Sequence, residues 1–234
     1  MKSLKSLSTK ELVLKLKKLT APLDNDGKIS KAIDFSLSLH AKQKDRQADG
    51  PYINHVLRVT IRSILLGLRE PEGIIAALMH DSIEDQLQGL AKASSKSTVG
   101  AGDPERIAAH AIVSLFGERV LELVGHLTIP GWQYALDPNG KNRCYVEHVE
   151  KLFNIHRSVI IIKLADFLDN ACSLLDLPTP DLQKRGASKY QPVYSLFIIK
   201  IQTGLLPIEN APETLAELKN GLDDATKILT TIID

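Results

Sequence analysis

The chain has 234 residues, of which 44% are hydrophobic, enough to bury a sizeable core. Its 29 lysines and arginines are matched by 28 acidic residues, which excludes the global basic field that nucleic-acid binding favours; any cationic patch must be local. Cys144 and Cys172 form no CxxC pair and read as reduced thiols. The N terminus lacks the continuous apolar stretch of a secretory signal, so a cytoplasmic protein without membrane or nucleic-acid partners is expected.

Hydrophobic periodicity predicts helices along the whole chain. The first, residues 8–19, follows a Ser8/Thr9 cap and carries Leu12, Leu16 and Leu19 at helical spacing, a basic amphipathic helix expected to pack on the domain or a partner. Residues 30–43 come next, then 53–67 after the turn signalled by Gly50 and Pro51, and 71–86. Further helices are expected at 104–116, 117–128, 142–153, 158–176, 183–203 and 212–233. No strand alternation competes. The expected fold class is all-α: a single compact multi-helix domain over 1–234, with an N-terminal helix and linker (1–25), a core (30–205) and a C-terminal helix (206–234).

Two stretches break the pattern. Residues 90–103, rich in Ser, Ala and Gly, read as a mobile insertion loop, with a lid over a site as one reading and a surface excursion as the other. Residues 129–141 contain an Asn-Gly turn signal together with Trp132 and Tyr134.

Chemistry concentrates in the run EGIIAALMHDSIEDQ. On a continuous helix at about 100° per residue, with His80 at zero, Glu84 falls near 40°, Asp81 near 100° and Asp85 near 140°, so all four leave from one side. For a lone His-Asp pair the commoner explanation is a solvated face. Two other segments weaken it. His55 opens an apolar helical pattern after Gly50 and Pro51, and Asp166 closes the apolar run Val159 to Ile162. A carboxylate at the end of such a run is rarely left unpaired, because an isolated buried charge costs several kcal/mol. A metal would satisfy it.

The order His, His-Asp, Asp resembles the HD-superfamily metal-dependent phosphohydrolases. The words RxxxGPYINH, AALMHDSIED and IKLADFLDN, spread over residues 30–205, resemble the hydrolase domain of RelA/SpoT homologues, enzymes that degrade ppGpp-type alarmones. The resemblance implies His55, His80, Asp81 and Asp166 as ligands of one divalent metal, usually manganese in that family, and Glu84 and Asp85 as the catalytic carboxylates. It implies Arg46, Asn170, Tyr190 and Arg185 as nucleotide contacts, with Lys184 and Lys189 near the phosphates. His40, just before Arg46 in the sequence, is expected to border the site. The expected reaction is hydrolysis of the 3′-pyrophosphate of a (p)ppGpp-like nucleotide. A generic HD 5′-nucleotidase and a binding protein that acts by contact without turnover are the alternatives. A second copy of the chain and a cognate alarmone synthetase are carried as candidate partners. Gln47, Ala48, Val56 and Phe167 depart from the family words near the expected base and phosphate positions, which opens the pocket to adenine analogues such as ppApp. From the length of 234 residues, a hydrolase module without the synthetase and regulatory domains of the long homologues is expected.

Overall fold

In the computed structural model, residues 4–44, 50–94, 103–129 and 140–233 are described, and every regular element among them is helical apart from one isolated bridge between Lys44 and Pro51. The chain forms two compact units: Met1–Lys44, Pro51–Ile61 and Arg69–Thr128 in the first, and Asp45–Gly50, Arg62–Leu68 and Ile129–Asp234 in the second.

The first unit begins with α1 (Thr9–Thr20). The Ser8 hydroxyl accepts from the Glu11 amide while the Glu11 carboxylate accepts from the Ser8 amide, a reciprocal cap that satisfies two otherwise orphaned donors. The expected amphipathic face is real: Leu12 and Leu16 are fully buried, and α1 packs on α2 (Lys28–Leu39). The amino end of α2 is capped from upstream by Asp24, whose carboxylate accepts from the amides of Ile29 and Ser30 at 2.8 and 2.9 Å. Its buried face, Ile29, Ala32, Ile33 and Ser36, lies on α4 (Pro71–Met79), where the Ser36 hydroxyl donates to the Leu78 carbonyl. Pro71 opens α4 at a position whose N–H would be unused, and Gly73 to Met79 are all buried. The amino-terminal part of α3 (Ile53–Leu65) also belongs to this unit.

The helix expected over 71–86 is two helices. It ends at Met79, and α5 (Ser82–Asp85) begins after Asp81, whose φ of −101° and ψ of 3° lie outside helical values. Side chains take the carbonyls that a continuous helix would use: the His80 ring donates to Ala77 and the Ser82 hydroxyl to Met79. The expected loop is shorter than 90–103, because α6 (Leu87–Ser94) is helical and packs on α7 (Pro104–Phe116); 95–102, where a lid would sit, lies outside the described residues. With α8 (Glu118–Leu127) these complete the unit, α8 packing on α4 and α7.

The second unit is built on α10 (Arg157–Ala171), which follows α9 (Lys141–Leu152). Val159 to Ile162 are at most 1% exposed, as the apolar run predicts, and burial continues through Asp169. The helix ends at Ala171 rather than 176, followed by a single 3-10 turn. α11 (Pro180–Gln202) and α12 (Pro212–Ile233) pack on α10 and on each other. At Gly221 a Cβ would lie 2.8 Å from Leu168 Cδ1, so the glycine permits the close approach of α12 to α10. Trp132 and Tyr134 lie outside the described residues.

Candidate metal centre

Three of the expected ligands meet in the first unit. His55, on the first turn of α3, and His80, at the end of α4, are 6% and 3% exposed, and Asp81 follows at the break. His80 Nε2 lies 3.0 Å and His55 Nε2 3.6 Å from Asp81 Oδ2. One ligand atom from each residue falls within 4.8 Å of the others. The helix break matters here, because it turns Asp81 onto the two imidazoles instead of letting it follow the helical spiral.

The donor set suits a cation. A carbonyl oxygen only accepts, so the 2.9 Å contact to Ala77 O requires the proton of His80 on Nδ1. In the neutral ring, Nε2 then presents a lone pair toward a carboxylate oxygen. Two acceptors at 3.0 Å repel unless a proton or a metal ion lies with them, and two imidazoles with a carboxylate fit a borderline divalent ion. Burial by itself would raise the Asp81 carboxyl, but when the imidazoles are protonated the charges of His80 and His55 and their hydrogen bonds outweigh it and hold Asp81 well below the usual carboxylate range; without those protons a cation has to take their place. Tyr52, whose hydroxyl donates to Asp81 Oδ2, adds a further donor to the ionised form.

Glu84 and Asp85 stand on α5, one turn beyond, Glu84 exposed and Asp85 half-buried. Asp85 Oδ2 accepts from Gln43 Nε2 at 2.9 Å, and Gln43 Oε1 meets His40 Nδ1 at 2.7 Å and Gln86 Nε2 at 2.6 Å. Tyr52, Gln43 and Gln86 were not singled out from sequence. Tyr52 lay inside the word GPYINH, three residues before His55, one helical turn away; nothing local marked either glutamine.

A family model for the HD domain matches residues 32–199, most of the chain and all of the expected ligand positions. The chain belongs to the HD domain family. It is 34% identical over 146 residues to a guanosine-3′,5′-bis(diphosphate) 3′-pyrophosphohydrolase of Aquifex aeolicus, a match covering 62% of this chain and 18% of that protein. It is 27% identical over 210 residues to a probable enzyme of the same name from Mycoplasma genitalium, covering 86% of this chain and 26% of that one. The matches thus span about a quarter or less of either relative's length. Among solved structures, a metazoan orthologue of SpoT described as hydrolysing ppGpp and acting in starvation responses superposes with a TM-score of 0.59 at 22% identity, over 86% of this chain and 95% of that one; it shares the fold.

The remaining expected positions of this HD domain lie in the second unit. Asp166 on α10 is 5% exposed; its Oδ2 accepts from Lys163 Nζ at 3.0 Å and its Oδ1 from Asn170 Nδ2 at 2.6 Å. Asn170 also donates to the Asp166 carbonyl, so the amide orients that carboxylate. Tyr190 on α11 is buried, edge-on to Tyr145 and Phe167, with the Lys189 ammonium over both tyrosine rings. Phe167, a departure expected beside the phosphates, is fully buried and stacks in a tilted contact on Phe197. Lys184 and Arg185 are exposed on the first turns of α11. Arg46, Gln47 and Ala48 lie outside the described residues. Among the described residues, no helix is long and apolar enough to cross a membrane.

Proposed function

We propose that this HD domain hydrolyses the 3′-pyrophosphate of (p)ppGpp-like nucleotides, releasing inorganic pyrophosphate and leaving a 3′-hydroxyl. The observation that carries the reading is the convergence of His55, His80 and Asp81, and the two curated relatives named as 3′-pyrophosphohydrolases supply the substrate class. His55, His80 and Asp81 would hold the ion, Mn(II) by the family resemblance, and Asp166 is proposed as a fourth ligand on the sequence pattern alone. When bound, a divalent ion lowers the pKa of water and offsets charge on the phosphorus centre. Glu84 and Asp85 orient the attacking water and take its proton, a role for which their place one turn beyond Asp81 is the support. Arg46, Asn170, Tyr190 and Arg185 are proposed to hold the nucleotide. Destroying an alarmone would also counteract a synthetase that makes it.

Purified protein with Mn(II) and a panel of guanine and adenine nucleotides, bearing the pyrophosphate at the 3′ or only the 5′ position, tests this by product mass. The expected products are pyrophosphate and the matching 5′-phosphorylated nucleoside, with adenine analogues accepted beside guanine ones. Turnover confined to 5′ phosphates would replace the reading with a nucleotidase.

A further inference from the structure

We propose that Gln43 is a positioning residue for Asp85, itself oriented by His40 and Gln86; this rests on the reading that Asp85 acts in the reaction. His40 ends α2, Gln43 lies in the following turn, Asp85 closes α5 and Gln86 follows it, all within the first unit. The backbone of Gln43 is pinned from both sides: its amide donates to the His40 carbonyl at 3.0 Å and its carbonyl accepts from the Tyr52 amide at 3.0 Å. Tyr52 is the residue whose hydroxyl meets Asp81, so one short chain path joins the metal ligands to this network.

The amide can face only one way while Asp85 is ionised. Gln43 Oε1 receives His40 Nδ1–H at 2.7 Å and Gln86 Nε2–H at 2.6 Å, which leaves its Nε2 to donate to Asp85 Oδ2 at 2.9 Å. Flipping the amide would set a carbonyl oxygen against the carboxylate and a donor against a donor from Gln86. His40 shows the cost of this arrangement. The ring is fully buried, its Nε2 has no hydrogen-bond partner among the described residues, and an apolar side chain would pack there without a bare nitrogen. What the imidazole supplies that an apolar group cannot is the Nδ1–H on Gln43. The network therefore serves the carboxylate at its far end.

Gln43→Leu should lower kcat on a 3′-pyrophosphorylated nucleotide by roughly a hundredfold, the scale of misplacing a reacting group by about 1 Å, while KM stays within about threefold and bound Mn(II) is unchanged. Gln43→Asn, which keeps the amide but is one methylene short, should fall likewise and guards against a folding defect in the leucine variant. In an Asp85→Asn background Gln43→Leu should cost nothing further; an equal loss in both backgrounds would overturn the proposal. A separate readout does not need turnover. Side-chain ¹⁵N NMR of the neutral protein should find His40 with its proton on Nδ1, and Gln43→Leu should shift population to the Nε2–H form. If the wild type shows no turnover but the expected tautomer and its shift, the functional reading fails and the network stands; a wild-type His40 protonated on Nε2 overturns the network whatever the activity.

Discussion

The His80 ring donates through Nδ1 to the Ala77 carbonyl at 2.9 Å, three residues back on the same helix, and that bond decides what its other nitrogen presents. Because Nδ1 carries the proton, the neutral ring has only Nε2 to offer a cation, beside Asp81 and His55. His80→Ala should therefore abolish tight binding of Mn(II). Calorimetric titration checks it, together with thermal unfolding: metal at about a hundred times its dissociation constant should stabilise the wild type by roughly 2.7 kcal/mol and the variant not at all.

Tyr52→Phe keeps the ring beside His40 and His55 and removes only the hydroxyl that donates to Asp81. Loss of a group that orients a ligating residue typically costs about ten- to a hundredfold in metal affinity. Competition with a chelator should show that loss without a change of fold by circular dichroism.

Glu84→Gln with Asp85→Asn should retain the metal and lose most turnover, since neither carboxylate belongs to the His55, His80 and Asp81 group. Bound Mn(II) and steady-state rates, measured on the same preparation, separate the outcomes. A double variant that loses its metal would make one of the two a ligand, and one that keeps its rate would remove both from the reaction.

His40 gives a pH dependence with a definite sign. Burial pushes its imidazole below the usual range, outweighing the Gln43 hydrogen bond and the Asp81 and Asp85 charges that pull upward, with His80 adding to the lowering. A folded-state pKa below the unfolded value means that the unfolded chain takes up the proton first. This term is absent above about pH 7, where both states are neutral, and it destabilises the fold as pH falls through the unfolded value of about 6.5 toward the lower folded one. Urea midpoints between pH 8 and 5.5 should fall toward acid, and less steeply in His40→Asn.

Gly221→Val should destabilise the protein by about 1 to 3 kcal/mol, because a Cβ would sit 2.8 Å from Leu168 Cδ1 where α12 meets α10. Gly125→Ala on α8 is the control. There a Cβ meets nothing within 4 Å, so the substitution should be neutral or gain up to about 1 kcal/mol from helix propensity. Denaturant unfolding of both variants decides.

Most helices were legible because their signals are local. The Leu12–Leu16 stripe and the Val159 to Ile162 run each mark an element within its own few residues. The order of His55, His80 and Asp81 in their words was enough to expect a metal centre. Tertiary structure decided the rest. A helical spiral predicts a polar face for His80, Asp81, Glu84 and Asp85, whereas the chain breaks at Asp81 because the His80 and Ser82 side chains take carbonyls from the turn before. Periodicity has no term for such competition between side chain and backbone. Gln43 and Gln86 carried no signal either, since they lie 43 residues apart and matter only through an amide placed between His40 and Asp85. Local patterning determines which segments are helices and which residues bear chemistry; hydrogen bonds between distant segments determine which of them orient it.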